Sequence, residues 1–147
     1  MQTILILSTI PHYMSLYFFE DENFNDNFLY KLYYSIAIIS STLSVIWHLI
    51  SEPSIGIVMT LDYMFAYLWV SIELLISIIY FDFIVLETVL LLNGIVGIVY
   101  IVNKLIDSDN RNKYCITYTY SHSIWHVISF TKCISISYLL NNLDKNM

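Results

Sequence analysis

The chain has almost none of the residues that punctuate a fold. Three Gly and two Pro among 147 residues leave no material for a flexible linker. This excludes two domains joined by one, and a single unit over residues 1–147 is the expectation. Basic residues are scarce as well, six Lys and Arg against twelve Asp and Glu, for a net charge of −6. With no basic patch to neutralise phosphate, a nucleic-acid partner is set aside. There are two Cys, Cys115 and Cys133, both in the last apolar stretch. Their separation along a helix is roughly 27 Å, so they cannot bond to each other and no disulfide framework is implied. The first residues, MQTILILSTIPHYMSLYFF, lack the positive region and small-residue cleavage site of a signal peptide. They read instead as a first membrane segment interrupted by Pro11.

What the chain has in quantity is apolar residues: 58% are hydrophobic, 12% are charged and the mean hydropathy is +0.67. That composition is an integral membrane protein's rather than a soluble domain's. A helical span needs about twenty apolar residues, and five stretches qualify by length: 1–19, 28–50, 57–80, 84–103 and 114–140. The run 57–104 is too long for one crossing and divides at Phe81, Asp82 and Phe83. Since an open span must satisfy its own backbone, the expected fold is all-α, a multi-pass transmembrane bundle of about five helices. Tyr30, Tyr33 and Tyr34 at the start of the second segment suit an interfacial belt, and Gly94 and Gly97 a close helix contact.

Against this background the titratable residues inside the spans stand out. His122 and His126, in YSHSIWHVISF, are four apart and share one helix face. Ser44 and His48 repeat that spacing in the second segment, and Asp62 opens the third. Counting crossings brings these groups together, because an even number separates the end of segment two from the start of the last. Three imidazoles and a carboxylate from three helices can then surround one metal ion. Zinc (Zn2+) accepts three imidazole nitrogens and keeps a fourth position for water, whose pKa it lowers. Asp62 is placed to hold and deprotonate such a water, and Ser44 to orient a ligand or carbonyl.

Each residue also has a plainer reading. His48 beside Trp47 resembles an interfacial anchor, and His12, next to Pro11, is read as interfacial. Asp62 near a helix start also fits a favourable charge on the helix dipole. Glu73 and Lys132 lie roughly 16 Å beyond Asp62 and 9 Å beyond His126 respectively, on the side away from the site, where they can pair across the bundle. Such a pair specifies packing more often than chemistry.

The motifs SVIWH (Ser44, His48), LDY (Asp62) and HSIWH (His122, His126), in that order, resemble the CREST superfamily of membrane proteins. That group includes alkaline ceramidases, progestin and adiponectin receptors, GPI-anchor remodelling proteins and myomaker-like proteins. The resemblance implies that His48, His122 and His126 are zinc ligands, with Asp62 and Ser44 beside the metal-bound water. For the members that are enzymes it implies hydrolysis of a lipid amide or ester. The departure is in size, five segments here against the family's usual seven.

The expected function is therefore zinc-dependent, ceramidase-like hydrolysis of a membrane lipid. The alternative is a non-enzymatic receptor, assembly or fusion-type factor with a structural zinc site. A third reading makes Asp62, Glu73, Lys132 and the histidines a proton or ion path. Lys104, Arg111 and Lys113 flank one end of the bundle, against Lys31 and Lys145 at the other. This places the site on the cytoplasmic side by a margin of one charge.

Overall fold

A computed structural model describes residues 2–13, 28–49, 56–80, 83–109 and 116–143, with no side-chain placement for 2, 106–109, 118 and 140–143. Five helices and no strands are found among these residues: α1 (Gln2–Thr9), α2 (Phe28–Leu49), α3 (Gly56–Tyr80), α4 (Phe83–Asp109) and α5 (Ile116–Leu143). The break expected at 81–83 separates α3 from α4. α4 continues to Asp109, past the expected end of the apolar stretch at 103, because polarity marks where an apolar phase ends and not where backbone hydrogen bonding must. The part apolar enough to cross a membrane is Phe83–Leu105, beside Phe28–Leu49 and Gly56–Tyr80. α1 has eight residues, a rise of about 12 Å against a hydrocarbon core of about 30 Å. The remainder of the expected first segment, 14–19, and Cys115 lie outside the described residues.

Within these helices, hydroxyl side chains turn back on their own backbone. Ser35, Thr42, Thr60, Ser71, Ser77, Thr88, Thr131 and Ser135 each donate to the carbonyl four residues earlier, at 2.7–2.9 Å. An apolar helix can thus carry polar residues without exposing an unsatisfied group.

α2 packs on α3, α3 on α4 and α4 on α5, while α1 lies against α2 and α5. The core is drawn from all four long helices: Tyr30, Tyr33, Ile36 and Ala37 from α2, Trp69, Ile72 and Ile76 from α3, Val85 and Val89 from α4, and Cys133 and Ile136 from α5. Outside it the surface is strongly apolar, with Ile57, Ile78, Phe83, Ile84, Leu91 and Ile98 each more than 60% exposed. So much contiguous apolar surface needs an apolar phase or a partner to cover it.

Two sequence expectations are corrected here. Tyr30 and Tyr33 are buried, and Tyr33 donates its hydroxyl to Glu73 Oε1 at 3.1 Å. A phenol suits an interface and a buried carboxylate equally, and the carboxylate has captured this one. Gly94 and Gly97 make no close helix contact, since a Cβ at either position would meet nothing within 4 Å.

The polar groups of the interior form two layers. One contains Glu73 and Lys132, which pair at 2.8 Å as their spacing anticipated. Lys132 Nζ also reaches Glu73 Oε1 at 3.0 Å and Asn93 Oδ1 at 3.3 Å. With Tyr33, this layer joins α2, α3, α4 and α5. The other layer is the histidine site.

Candidate metal centre

His48 is the penultimate residue of α2 and is fully buried. His122 and His126 lie in the first half of α5, one turn apart on a common face and 6% and 3% exposed. The course of α2, α3, α4 and α5 brings the end of α2 against the first turns of α5, as the sequence leads one to expect. His48 Nε2 lies 3.1 Å from His126 Nε2. The three rings are mutually edge-on, with centroids 5.1, 5.2 and 4.7 Å apart and interplanar angles of 74°, 86° and 86°. One nitrogen from each ring falls within 4.8 Å of the others.

This donor set fits a metal ion. Zinc–nitrogen bonds of about 2.0 Å at the tetrahedral angle put ligand nitrogens about 3.3 Å apart, close to the 3.1 Å between His48 and His126. A single N–H···N bond between neutral imidazoles would account for that distance equally well. It would leave the third imidazole, with a nitrogen within 4.8 Å of the other two, outside that bond, since one shared proton serves two rings.

Ser44 and Asp62 both line a cavity of about 90 Å³ whose wall includes His126. At about 30 Å³ per water this is room for a few waters. Ser40, Ser41, Ser129 and Lys132 also contribute to its wall. The Ser41 hydroxyl, 4% exposed, has no hydrogen-bond partner among the described residues and so offers this cavity an unused donor and acceptor. All five residues expected from the sequence are therefore at this end of the bundle: three as a cluster, two in the adjoining cavity.

Trp125 packs against the cluster, its ring centroid 5.1 Å from His122 and 4.9 Å from His126, and it also lines this cavity. On its far side is a second, mainly apolar cavity of about 170 Å³, lined by Tyr63, Tyr67, Val96, Gly97 and Tyr100 among others. Ala66, Val70, Val96 and Trp125 line both cavities and form their common wall. Lys104 lies over the Tyr63 ring at 4.5 Å and the Tyr100 ring at 5.8 Å.

Two residues at the site escaped the sequence reading. His12 is buried rather than interfacial, with its ring 5.8 Å from that of His126 and 6.2 Å from that of Trp69, and it lines the smaller cavity. Its Nδ1 lies 3.1 Å from the Thr9 carbonyl, which can only accept, so Nδ1 carries the proton. No spacing rule links His12 to α5, so only the fold could reveal it. Asn103, at the α4 end of the site, is buried beside His122, with 2.9 Å between Nδ2 and Nδ1. The signal available for it was a lone amide at the end of an apolar run.

No protein-family model, curated protein or solved structure matches this chain.

Proposed function

We propose that this chain is a multi-pass membrane hydrolase that holds zinc on His48, His122 and His126 and cleaves an amide or ester bond in a lipid. The observation that carries the reading is the convergence of three buried imidazoles beside a cavity lined by Asp62 and Ser44. The CREST-like order of these residues supports the same reading by analogy. Bound zinc would supply Lewis acidity and make water nucleophilic near neutral pH.

The chain's own residues have distinct tasks. Asp62 accepts a proton from the attacking water and returns it to the leaving nitrogen or oxygen, so that water is added across the scissile bond with no net proton change. Ser44, one turn before His48, orients the substrate carbonyl. Trp125 and the other wall residues keep bulk water from the reacting groups. A cavity of about 90 Å³ admits a carbonyl group and a water, far less than the roughly 300–1,000 Å³ of a site that encloses a drug-sized ligand. The lipid chain therefore lies outside it, along the apolar cavity between α3 and α4.

Replacing Asp62 tests this directly. Asp62→Asn is expected to keep zinc and thermal stability while lowering turnover of a ceramide-like amide or lipid ester by at least about 100-fold. Unchanged turnover would remove Asp62 from the chemistry.

A second reading takes its support from the small cavity and the five helices. Here zinc ties α2 to α5 in a non-enzymatic membrane factor. Under that reading no lipid is turned over and only stability depends on the metal.

A further inference from the structure

α4 contributes no histidine to the cluster, yet it touches one through Asn103. Asn103 is 5% exposed and makes two side-chain contacts across to α5. Its Nδ2 lies 2.9 Å from His122 Nδ1, and its Oδ1 accepts a hydrogen bond from Ser121 Oγ at 2.8 Å. An amide buried in so apolar a helix is costly unless both of its ends are used, and here both are.

The chemistry of imidazole gives this contact a meaning. With Nδ1 engaged by Asn103, His122 would bind an ion through Nε2. To bind through Nε2, the neutral ring must carry its proton on Nδ1, and that proton needs an acceptor. Asn103 provides one by turning its amide half a revolution: Oδ1 then accepts from His122 Nδ1–H, and Nδ2 donates to Ser121 Oγ. The amide oxygen and nitrogen occupy the same envelope, so both arrangements use the same three groups at the same distances.

Building on the zinc reading above, we propose that Asn103, anchored by Ser121, is a positioning residue for the metal centre, fixing the His122 ring and accepting from Nδ1–H in the tautomer that presents Nε2 to the ion. It extends the site to α4, so that three of the long helices determine the metal geometry. Ser121 immediately precedes its ligand, and the link from α4 to His122 therefore closes through a single turn of α5.

The test is metal affinity rather than turnover. Full-length protein in detergent micelles is titrated with zinc in competition with a chromophoric chelator, and the cobalt-substituted form is examined by visible absorption. Asn103→Leu keeps the size and removes the acceptor, and is expected to bind zinc 10–100-fold more weakly, with altered cobalt bands. Asn103→Asp restores an acceptor at the same reach and is expected to bind within about threefold of wild type, or more tightly. Ser121→Ala releases the far end of the amide and should give a smaller loss. The proposal is overturned if Asn103→Leu binds zinc like wild type, or if a folded Asn103→Asp is as weak as Asn103→Leu. Should Asn103→Leu fail to fold, Asn103→Asp and Ser121→Ala decide. Retained affinity in Asn103→Asp with a loss in Ser121→Ala supports the proposal, and any other pattern overturns it. A wild-type protein that binds no zinc would defeat the zinc reading itself, a result distinct from wild-type binding that is indifferent to Asn103.

Discussion

Removing the Lys132 side-chain charge should destabilise the bundle far more than losing a surface ion pair would. Lys132 and Glu73 are 4% and 0% exposed, and the ammonium contacts both carboxylate oxygens at 2.8 and 3.0 Å. Lys132→Met preserves most of the apolar stem but leaves the Glu73 carboxylate in the interior with the Tyr33 hydroxyl at 3.1 Å. Breaking a buried pair in this way costs about 3–5 kcal/mol, against about 0–1 kcal/mol for an exposed one. The companion variant carries Glu73→Gln as well. Gln still accepts from Tyr33 and has no charge to strand, so the double variant should recover most of the loss. The assay is reversible unfolding in mixed micelles titrated with a denaturing detergent, followed by far-UV circular dichroism. A cost below about 1 kcal/mol for Lys132→Met would mean that the pair is solvated and the reasoning wrong. A double variant as unstable as the single would mean that packing, not stranded charge, sets the cost.

Other consequences follow from the cavities and the metal. A Cβ at Gly97 meets open space, so Gly97→Leu should fill the apolar cavity while changing stability by no more than about 0.5 kcal/mol. Lipid turnover should nevertheless fall, and equal turnover on long-chain substrates would place the chain elsewhere. Trp125→Ala joins the two cavities through their shared wall, and should raise KM and weaken chain-length preference in a homologous series of amides. Chelation should lower the melting temperature and zinc restore it, because a ligand present at 1,000 times its Kd stabilises the folded state by about 4 kcal/mol. A melting curve indifferent to both chelator and zinc would contradict a metal bound to the native state.

Much of this arrangement was legible in the sequence because long apolar helices obey few rules, and those rules are strict. The length of an apolar run sets where helices lie, and the four-residue spacing of Ser44 with His48 and of His122 with His126 sets their faces. Counting crossings then brought α2 and α5 together without any knowledge of packing. The same reasoning paired Glu73 with Lys132, since two opposite charges at similar depth in an apolar interior have few other partners. What the sequence concealed is contact between side chains with no periodic relation. His12 belongs to α1, whose place against α2 and α5 is set by tertiary packing. Asn103 and Tyr33 occupy positions equally natural for a helix end and an aromatic belt, and only the neighbouring helix shows what each one touches. Gly94 and Gly97 illustrate the opposite error, small residues whose nearest space is a surface or a cavity and not another helix.

The claim on which the account rests is that His48, His122 and His126 hold one zinc ion. Purified full-length protein, dialysed free of loosely bound metal and analysed by elemental mass spectrometry, should contain about one zinc per chain. His48→Ala, His122→Ala and His126→Ala should each reduce this severely while leaving the helical circular dichroism recognisable. Wild-type protein that is fully helical yet free of zinc, or histidine variants that keep the metal, would contradict the account.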